Sequence, residues 1–276
     1  MGIEGSQIEK YLQQVPGLSV FVDNSASEND VVVEFGDEPS KGIEYERLNE
    51  FMLADDYVKC YFGRKDDCYV FEMHPMNGDF HDFVLLYDKK QHCKGTLIEN
   101  TTMLRFALWM TYCMAAMKKG ISPIHSSTIE YHGKAILFLG ESGTGKSTHT
   151  RLWLENIEGA RLLNDDSPII SCQNGRVMVS GSPWSGKTHC YHNKTFPLAA
   201  VVRLEQAKVN EIHKLGVLNA IAALQPSLPP SFAYDEYYAN KILDITSEIV
   251  EHVPVYKLRC LPNAEAAKLS FKTVIQ

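Results

Sequence analysis

The stretch that decides the fold runs Gly140-Glu141-Ser142-Gly143-Thr144-Gly145-Lys146-Ser147. It follows an apolar segment, residues 134–139, with the character of a buried strand, and it leads into a helical pattern over residues 146–156. The pattern Gly-x-x-x-x-Gly-Lys-Ser between a strand and a helix is typical of a phosphate-binding loop, or P-loop. Its glycines let backbone N–H groups converge on phosphate oxygens at a helix N-terminus. The sequence therefore predicts a site for the phosphates of a nucleoside triphosphate.

The chemistry of such a loop assigns roles to its last residues. We expect Lys146 to pair with the β- and γ-phosphates and the Ser147 hydroxyl to ligate Mg²⁺. Residues 140–148, which include Thr148, form the predicted nucleotide-binding stretch. The predicted ligands are therefore ATP and Mg²⁺.

A pair of aspartates follows the predicted helix. Residues 161–163 read as a short strand that ends in Asn164-Asp165-Asp166. Adjacent residues on a strand point to opposite faces, so one carboxylate can serve the metal while the other faces an acceptor hydroxyl. The alternative is a plain turn, because residues 164–168 are all of types that favour turns.

Composition excludes several classes of protein. The chain has 276 residues and a formal net charge of −7, which repels a nucleic acid over most of the surface. Its longest apolar-leaning run, residues 103–117, is shorter than the roughly 20 residues that a membrane span needs. Seven cysteines without a Cys-x-x-Cys pair argue against a disulfide framework or a zinc clip. We expect a cytoplasmic protein with neither a membrane nor a nucleic acid as partner.

The sequence predicts an α/β (α+β) protein whose chain divides into three parts. Residues 1–100 contain alternating segments at 30–35, 69–72 and 83–87, which predict a β-rich N-terminal lobe. Residues 101–120 predict a buried linking helix, and residues 121–276 predict the domain that carries the P-loop. Within that domain, Asn174-Gly175 is a strong hairpin signal.

A second polar loop, residues 181–194, carries Trp184 and the basic side chains Lys187, His189, His192 and Lys194. Lys187 is a candidate catalytic residue, because a loop cation can neutralise charge that develops during phosphoryl transfer. Three other interpretations remain open. Residues 181–188 also satisfy the bare P-loop pattern, the loop could be an ordinary solvated one, and His189, Cys190 and His192 are possible metal ligands.

His125 completes an arrangement that resembles a known family. A histidine ahead of the P-loop strand, the P-loop itself and two adjacent aspartates after its helix are similar to the HPr kinase/phosphorylases, which are related in fold to the phosphoenolpyruvate carboxykinases. The resemblance covers about residues 121–204. It implies that an aspartate deprotonates an acceptor hydroxyl that attacks the γ-phosphate. By register we favour Asp165 as this base, assisted by His125, and Asp166 on the metal side.

The chain departs from this family at two places. Thr148 stands where HPr kinases carry a glutamate directly after the P-loop serine. Their later Arg-Gly-rich signature is absent, and residues 181–194 stand in its place. The whole chain most resembles stand-alone HPr-kinase-like proteins of unassigned function.

The predicted reaction is ATP- and Mg²⁺-dependent phosphorylation of a hydroxyl, most simply the serine of a protein, a peptide or a free amino acid. One alternative is a carboxykinase-like enzyme acting on oxaloacetate, against which the short chain and the few arginines near the site count. Another is a non-catalytic nucleotide sensor, which the departure at Thr148 favours. Assembly into an oligomer is compatible with either enzyme.

Overall fold

A computed structural model describes residues 1–5, 7–23, 31–36, 43–53, 57–78, 81–88, 92–186 and 188–275. The chain divides into two compact units. The first comprises Met1–Lys119 with Ser231–Glu236, and the second comprises Gly120–Pro230 with Tyr237–Gln276. Two residues singled out in the sequence, Asp30 and Lys187, lie outside the described residues.

Over its described residues, the first unit is a seven-stranded sheet with two helices. Its elements are β1 Gly2–Glu4, α1 Glu9–Leu12, β2 Val32–Gly36, β3 Glu46–Leu53, β4 Val58–Lys65, β5 Cys68–Pro75, β6 Phe83–Asp88, β7 His92–Thr96 and α2 Thr101–Ala116. The strand order is β1-β2-β7-β6-β5-β4-β3. The predicted β-rich lobe is confirmed, and the predicted helix ends as α2 at Ala116 before a 3-10 turn over Met117–Lys119.

Alternation of side chains explains the core of this unit. In β6 the buried residues Phe83, Leu85 and Tyr87 alternate with half-buried ones, because successive strand residues face opposite sides of the sheet. Helix α2 packs on the sheet through Phe106, whose ring centroid lies 5.8 Å from that of Phe71 and 5.9 Å from that of Phe51. Aromatic burial therefore joins α2 to the strands that precede it.

Six residues from the second half of the chain also belong to this unit. Phe232 packs edge-on against Phe62, with ring centroids 5.0 Å apart. The buried carboxylate of Asp235 accepts a 3.0 Å hydrogen bond from the Tyr69 hydroxyl. The sequence-based division assigned Ser231–Glu236 to the P-loop domain, but these contacts group the segment with the first unit.

The second unit contains nine strands and four helices within the part of the chain that the structure describes. Its elements are β8 Ile121–Pro123, β9 Ser126–Tyr131, β10 Lys134–Leu139, α3 Lys146–Asn156, β11 Ala160–Asp166, β12 Ile169–Gln173, β13 Arg176–Ser180, β14 Thr195–Gln206, β15 Glu211–Lys214, α4 Val217–Leu224, α5 Glu236–His252, β16 Val255–Cys260 and α6 Ala264–Val274. The predicted strand and helix on either side of the P-loop are confirmed. So is the hairpin, in which Asn174 and Gly175 join β12 to β13 with φ of 52° and 71°.

Strand β14 organises the sheet of this unit. Its first residues pair with β13, while its later residues run parallel to β10 on one side and to β16 on the other. Beyond β10 the order continues through β9 to β11, so that β10, β11, β14 and β16 all point the same way. Their carboxyl ends therefore meet at one edge of the sheet, where α/β proteins bind their ligands.

Trp153 fixes helix α3 to this sheet. The side chain is fully buried, and its ring lies 5.5 Å from Phe138 of β10 and 5.6 Å from Phe271 of α6. Its indole N–H donates to Ser270 Oγ at 2.8 Å, so the polar atom is satisfied within the core. Because α3 begins at Lys146, within the P-loop sequence, this packing also holds the loop at the edge of the sheet.

The architecture confirms the α/β class and the β-rich N-terminal lobe that the sequence predicts. Within the described parts of the chain, no helix has the length and apolar character that crossing a membrane requires.

Stability of the second unit should depend on pH through His149 of α3. The imidazole ring of His149 is buried, and its Nε2 atom lies 3.1 Å from Ser270 Oγ. Burial lowers the pKa of His149 from 6.5 to about 4. The unfolded chain takes up a proton near pH 6.5 and the folded chain only near pH 4. The free energy of unfolding therefore falls by up to about 3 kcal/mol as the pH drops through this interval. Above this interval, His149 causes no loss of stability.

Urea denaturation at pH 7.5 and pH 4.5 measures this effect. His149→Gln should shrink the difference between the two midpoints relative to the unsubstituted chain. His213→Gln, at an exposed histidine of β15 in the same unit, should leave the difference unchanged. An equal acid-induced loss in His149→Gln and in the unsubstituted protein would show that His149 is not the titrating group.

Candidate functional site

The register of β9 gathers the predicted site residues. Ser127 of β9 lies opposite Phe138 of β10 on one side and opposite Asp165 of β11 on the other. His125 directly precedes β9, the P-loop directly follows β10, and Asp166 ends β11. Three segments that are distant in sequence therefore meet at one edge of the sheet.

The P-loop has the backbone conformation that its glycines permit. Gly143 and Gly145 have φ of 79° and 103°, a region that side-chain-bearing residues rarely adopt. Lys146 folds back over the loop, and its Nζ donates to the carbonyl oxygens of Gly140 at 2.8 Å and of Glu141 at 3.4 Å. Burial lowers the pKa of Lys146, while the carboxylates of Asp166, Glu141 and Asp165 oppose this shift.

Two side chains of β14 hold the outer part of the loop. Arg203 forms an ion pair with Glu141 and donates from Nη1 to the Ala223 carbonyl at 2.9 Å. Gln206 Nε2 donates to the carbonyl oxygens of Gly143 and Thr144 at 3.2 and 3.4 Å. Neither residue is among the site residues that the sequence predicts, although Arg203 is one of the few arginines expected near the site. Both stand at the carboxyl end of a strand parallel to β10, and this placement is the signal that could have found them.

Asp165 lies next to the P-loop serine. Its side chain is buried, and its Oδ1 accepts a 3.0 Å hydrogen bond from Ser147 Oγ. Beneath this contact, the hydroxyls of Ser127 and Thr150 lie 2.9 Å apart and tie β9 to α3. A serine hydroxyl and an aspartate carboxylate are the two kinds of side chain that hold Mg²⁺ in P-loop proteins, and here they are in contact.

Asp166 faces the other way, toward His125. The Nε2 atom of His125 lies 3.7 Å from Asp166 Oδ1, and both side chains are close to half exposed, at 48% and 45%. The His125 backbone is fixed by a 2.6 Å hydrogen bond from its N–H to the Ser227 carbonyl. Partial burial, followed by the Lys146 ammonium, lowers the pKa of His125, and the Asp166 carboxylate opposes the shift. The two adjacent aspartates thus occupy different environments, as the strand geometry predicts.

The donor set fits Mg²⁺ bound together with a nucleotide. Magnesium keeps several waters and takes one or two carboxylates plus phosphate oxygens, so it needs no cage made entirely by the protein. Ser147 and Asp165 supply a hydroxyl and a carboxylate in mutual contact. Among the described residues, no group of three or more His, Cys, Asp or Glu side chains could hold a metal ion by itself.

The loop of residues 181–194 packs against the end of β11. Ser182, Trp184 and Ser185 are buried, and Asn164 Nδ2 donates to Ser182 Oγ at 3.3 Å. Gly186 N–H donates to the Asp165 carbonyl at 2.5 Å, and Ser185 forms a bridge with Asp166. Residues 182–186 thus support the aspartates, whereas residues 188, 189 and 192–194 of the same loop are exposed to solvent. Residues 188–194 form no helix, so the context of a second phosphate loop is missing there.

The chain belongs to a known family. The family model described as SynChlorMet cassette protein ScmC matches residues 93–264, which is more than half of the chain. The matched region contains His125, the P-loop and the two aspartates.

Curated relatives confirm the resemblance to HPr kinase/phosphorylases. The chain is 30% identical over 144 residues to the HPr kinase/phosphorylase of Treponema pallidum strain Nichols, an alignment that covers 50% of this chain and 43% of that protein. The HPr kinase/phosphorylase of a second strain, of Treponema pallidum subsp. pallidum, matches with the same identity and coverage. The chain thus spans less than half the length of the curated relatives it matches.

Among solved structures, the chain is similar to the Hpr(Ser) kinase/phosphatase of Coxiella burnetii. The sequence identity is 12% and the TM-score is 0.32, with 55% of this chain and 93% of that chain covered.

The close approach of Gly186 to β11 gives a testable constraint. A Cβ atom at this position would lie 2.8 Å from the Asp165 carbonyl oxygen and 3.2 Å from Asp166 Cβ. Gly186→Ala must therefore displace either the loop or the aspartates, and we expect it to lower the free energy of unfolding by about 1–3 kcal/mol. Thermal unfolding measures the change.

Gly216→Ser is the matched control, because a Cβ at Gly216 meets no atom within 4 Å, serine suits this N-cap position of α4, and the residue lies in the same unit. It should leave the melting temperature close to that of the unsubstituted protein. Equal melting temperatures for both variants would contradict the packing of Gly186 against Asp165.

Proposed function

We propose that this protein is an ATP- and Mg²⁺-dependent kinase that transfers the γ-phosphate to a hydroxyl. The observation that carries the proposal is the 3.0 Å hydrogen bond from Ser147 to Asp165, with Asp166 turned toward His125 beside it. A site with one carboxylate for the metal and a second for the acceptor has the parts that phosphoryl transfer needs. The curated relatives named HPr kinase/phosphorylase support the same class of reaction.

In this proposal Ser147 and Asp165 hold Mg²⁺. The hydroxyl and the carboxylate already touch, and burial of Asp165 keeps its carboxylate aimed at the serine. Bound Mg²⁺ would neutralise charge on the β- and γ-phosphate oxygens. The sequence-based assignment placed Asp166 on the metal side and Asp165 as the base. The contact with Ser147 favours the opposite assignment, and we adopt it here.

Asp166 is then the general base. Its carboxylate is partly exposed and can accept the proton of an acceptor hydroxyl, whose oxygen forms the new bond to the γ-phosphorus while the bond to the β–γ bridging oxygen breaks. His125, 3.7 Å away, positions this carboxylate. Burial and the Lys146 ammonium lower the pKa of His125, so the ring is neutral at neutral pH.

Lys146 supplies positive charge at the phosphates. Its Nζ now satisfies two loop carbonyls, and rotation of the side chain would carry it to the β- and γ-phosphate oxygens. Backbone N–H groups at the start of α3 add further donors. Lys187 remains a proposed contributor of charge from the neighbouring loop.

The acceptor class is part of the proposal. We infer a serine hydroxyl in a protein, a peptide or a free amino acid. The resemblance to HPr kinase/phosphorylases supports an alcohol acceptor, and the loop beside Asp166 carries His189, His192 and Lys194, which suit an acceptor with anionic groups.

Two aspartate variants test the assignment. With γ-labelled ATP, Mg²⁺ and a panel of serine-bearing proteins, peptides and free serine, Asp166→Asn should reduce transfer by at least about 100-fold while Mg²⁺-ATP binding stays near normal. Asp165→Asn should instead weaken the dependence of ATP binding on Mg²⁺. Lys146→Ala should weaken ATP binding itself. Calorimetric titration separates these binding effects from turnover.

The reverse pattern for the two aspartates would restore Asp165 as the base. Transfer at the normal rate in both variants would remove the pair from the mechanism. ATP binding without transfer across the panel would favour a nucleotide sensor, and oxaloacetate-dependent consumption of ATP would favour a carboxykinase.

A further inference from the structure

A cavity of about 540 Å³ lies against the edge strand β11, apart from the groups that the proposed mechanism uses. Residues 161–163 of β11 form one wall, and residues 194–196, where the 181–194 loop enters β14, form another together with His192. Glu130 and Gly133 complete the described lining. The volume lies within the range of about 300–1,000 Å³ that is typical of ligand sites.

Two cationic side chains of this cavity are available to a ligand. Arg161 and Lys194 are both exposed, and among the described residues neither side chain takes part in an ion pair or a hydrogen bond. The carboxylate of the lining, Glu130, instead accepts a 2.8 Å hydrogen bond from the Gly133 N–H. A guanidinium and an ammonium that share one cavity favour a carboxylate as ligand. The cavity therefore has the chemistry of an anion site, in a chain whose net charge is −7.

The register of β11 places Arg161 on the same face of the sheet as Asp166. Arg161 lies opposite Glu130 of β9, and Asp166 lies opposite Ser126. These two β9 residues are four positions apart, so their side chains and those of their partners point to one face. An irregularity between residues 162 and 164 of β11 makes this possible for two residues that are five positions apart. At a rise of about 3.3 Å per residue of β9, the two places lie roughly 13 Å apart along the strand.

The loop of residues 181–194 runs beside β11 from Asp166 to the cavity. Ser185 forms a bridge with Asp166, and further along the loop Cys190 Sγ lies 3.6 Å from the Leu162 carbonyl oxygen. The last residues of the loop line the cavity. A peptide bound along the exposed side of this loop would therefore meet the Asp166 carboxylate at one end and the cavity at the other.

We propose that this cavity binds an acidic side chain of a peptide or protein acceptor whose serine hydroxyl lies at Asp166. An extended peptide also advances about 3.3 Å per residue, so the acidic residue stands about four or five positions from the serine. Free serine is too short to reach both places. The inference rests on the proposed kinase function and narrows its acceptor to a polypeptide. Because most of the chain repels an acidic acceptor, Arg161 and Lys194 determine the register in which it binds.

A peptide library with a single serine tests this site on the full chain. Each position that flanks the serine is fixed in turn as Glu, Gln or Lys while the others are degenerate, and transfer is measured with γ-labelled ATP and Mg²⁺. We expect Glu to be favoured over Gln by about 5-fold at a position about four or five residues from the serine, on one side only. Individual peptides that differ only at that position should differ in KM and share one kcat, because the cavity touches no reacting atom.

Charge reversal identifies the cavity as the origin of this preference. Arg161→Glu should change the preferred residue at that position from Glu to Lys and leave the affinity for Mg²⁺-ATP unchanged. Lys194→Glu acts from the opposite wall and should give the same reversal. Loss of ATP binding would reveal misfolding in either variant, and the other variant then decides.

Arg176→Glu is the matched control. Arg176 is an exposed arginine at the start of β13 in the same unit and does not line the cavity. This variant should therefore keep the preference for Glu.

The outcomes separate this site from the kinase function. Equal transfer to Glu, Gln and Lys peptides at every position overturns the site, and so does a preference for Glu that survives in both charge-reversed variants. Transfer to free serine but to no peptide has the same meaning, and all three results leave the kinase function intact. Transfer to none of these acceptors overturns the proposed function together with the site.

Discussion

The pairing of β9 with both β10 and β11 is the constraint on which the candidate site depends. This strand is antiparallel to its two neighbours, so its beginning lies at the edge where they end. A shift of the register by one residue would turn the side chains of β9 to the opposite face and separate Ser127 from Thr150 of α3. The hydroxyl contact between these residues and the burial of Ile129 in the core both fix the register that brings His125 to the aspartates.

The two adjacent aspartates at the end of β11 lie in different surroundings. Asp165 points into the protein toward Ser147, where burial and the serine hydroxyl restrict its carboxylate. Asp166 points toward His125, and its side chain is 45% exposed to solvent. The loop of residues 181–194 stabilises this divergence, because Gly186 occupies the free edge of β11 at Asp165 and Ser185 does so at Asp166. A side chain at position 186 would take the space that the aspartates need.

The structural elements that the sequence predicted correctly are those whose conformation is determined by residues close to one another in sequence. The P-loop lies between a strand and a helix that are adjacent in sequence, and its glycines indicate the backbone conformation. The strand and the helix within residues 134–156 were therefore predicted correctly. The role of Arg203 and Gln206 depends on the pairing of β14 with β10, across about sixty residues of sequence, and no local pattern encodes that pairing. The same holds for Ser231–Glu236, whose short, proline-flanked sequence gives no sign of the Phe62 ring and Tyr69 hydroxyl that it meets. Which aspartate faces Ser147 also depends on how β11 is turned, and the strand periodicity leaves that choice open.

Thr148 stands where the HPr kinases that the chain resembles carry a glutamate, and the mechanism proposed above does not use a carboxylate at this position. Among the described residues, the carboxylates that act on Lys146 of the P-loop are Glu141, Asp165 and Asp166, and Arg203 pairs with the first of them. Asp165 and Asp166 are therefore the carboxylates left without an arginine partner in this set. Magnesium requires no more than one or two carboxylates beside phosphate and water. A third acidic side chain at position 148 would add repulsion toward the phosphates at the start of α3, where the helix dipole otherwise favours an anion. The kinase proposed above therefore does not require that glutamate, and in this proposal transfer depends on the different positions of Asp165 and Asp166.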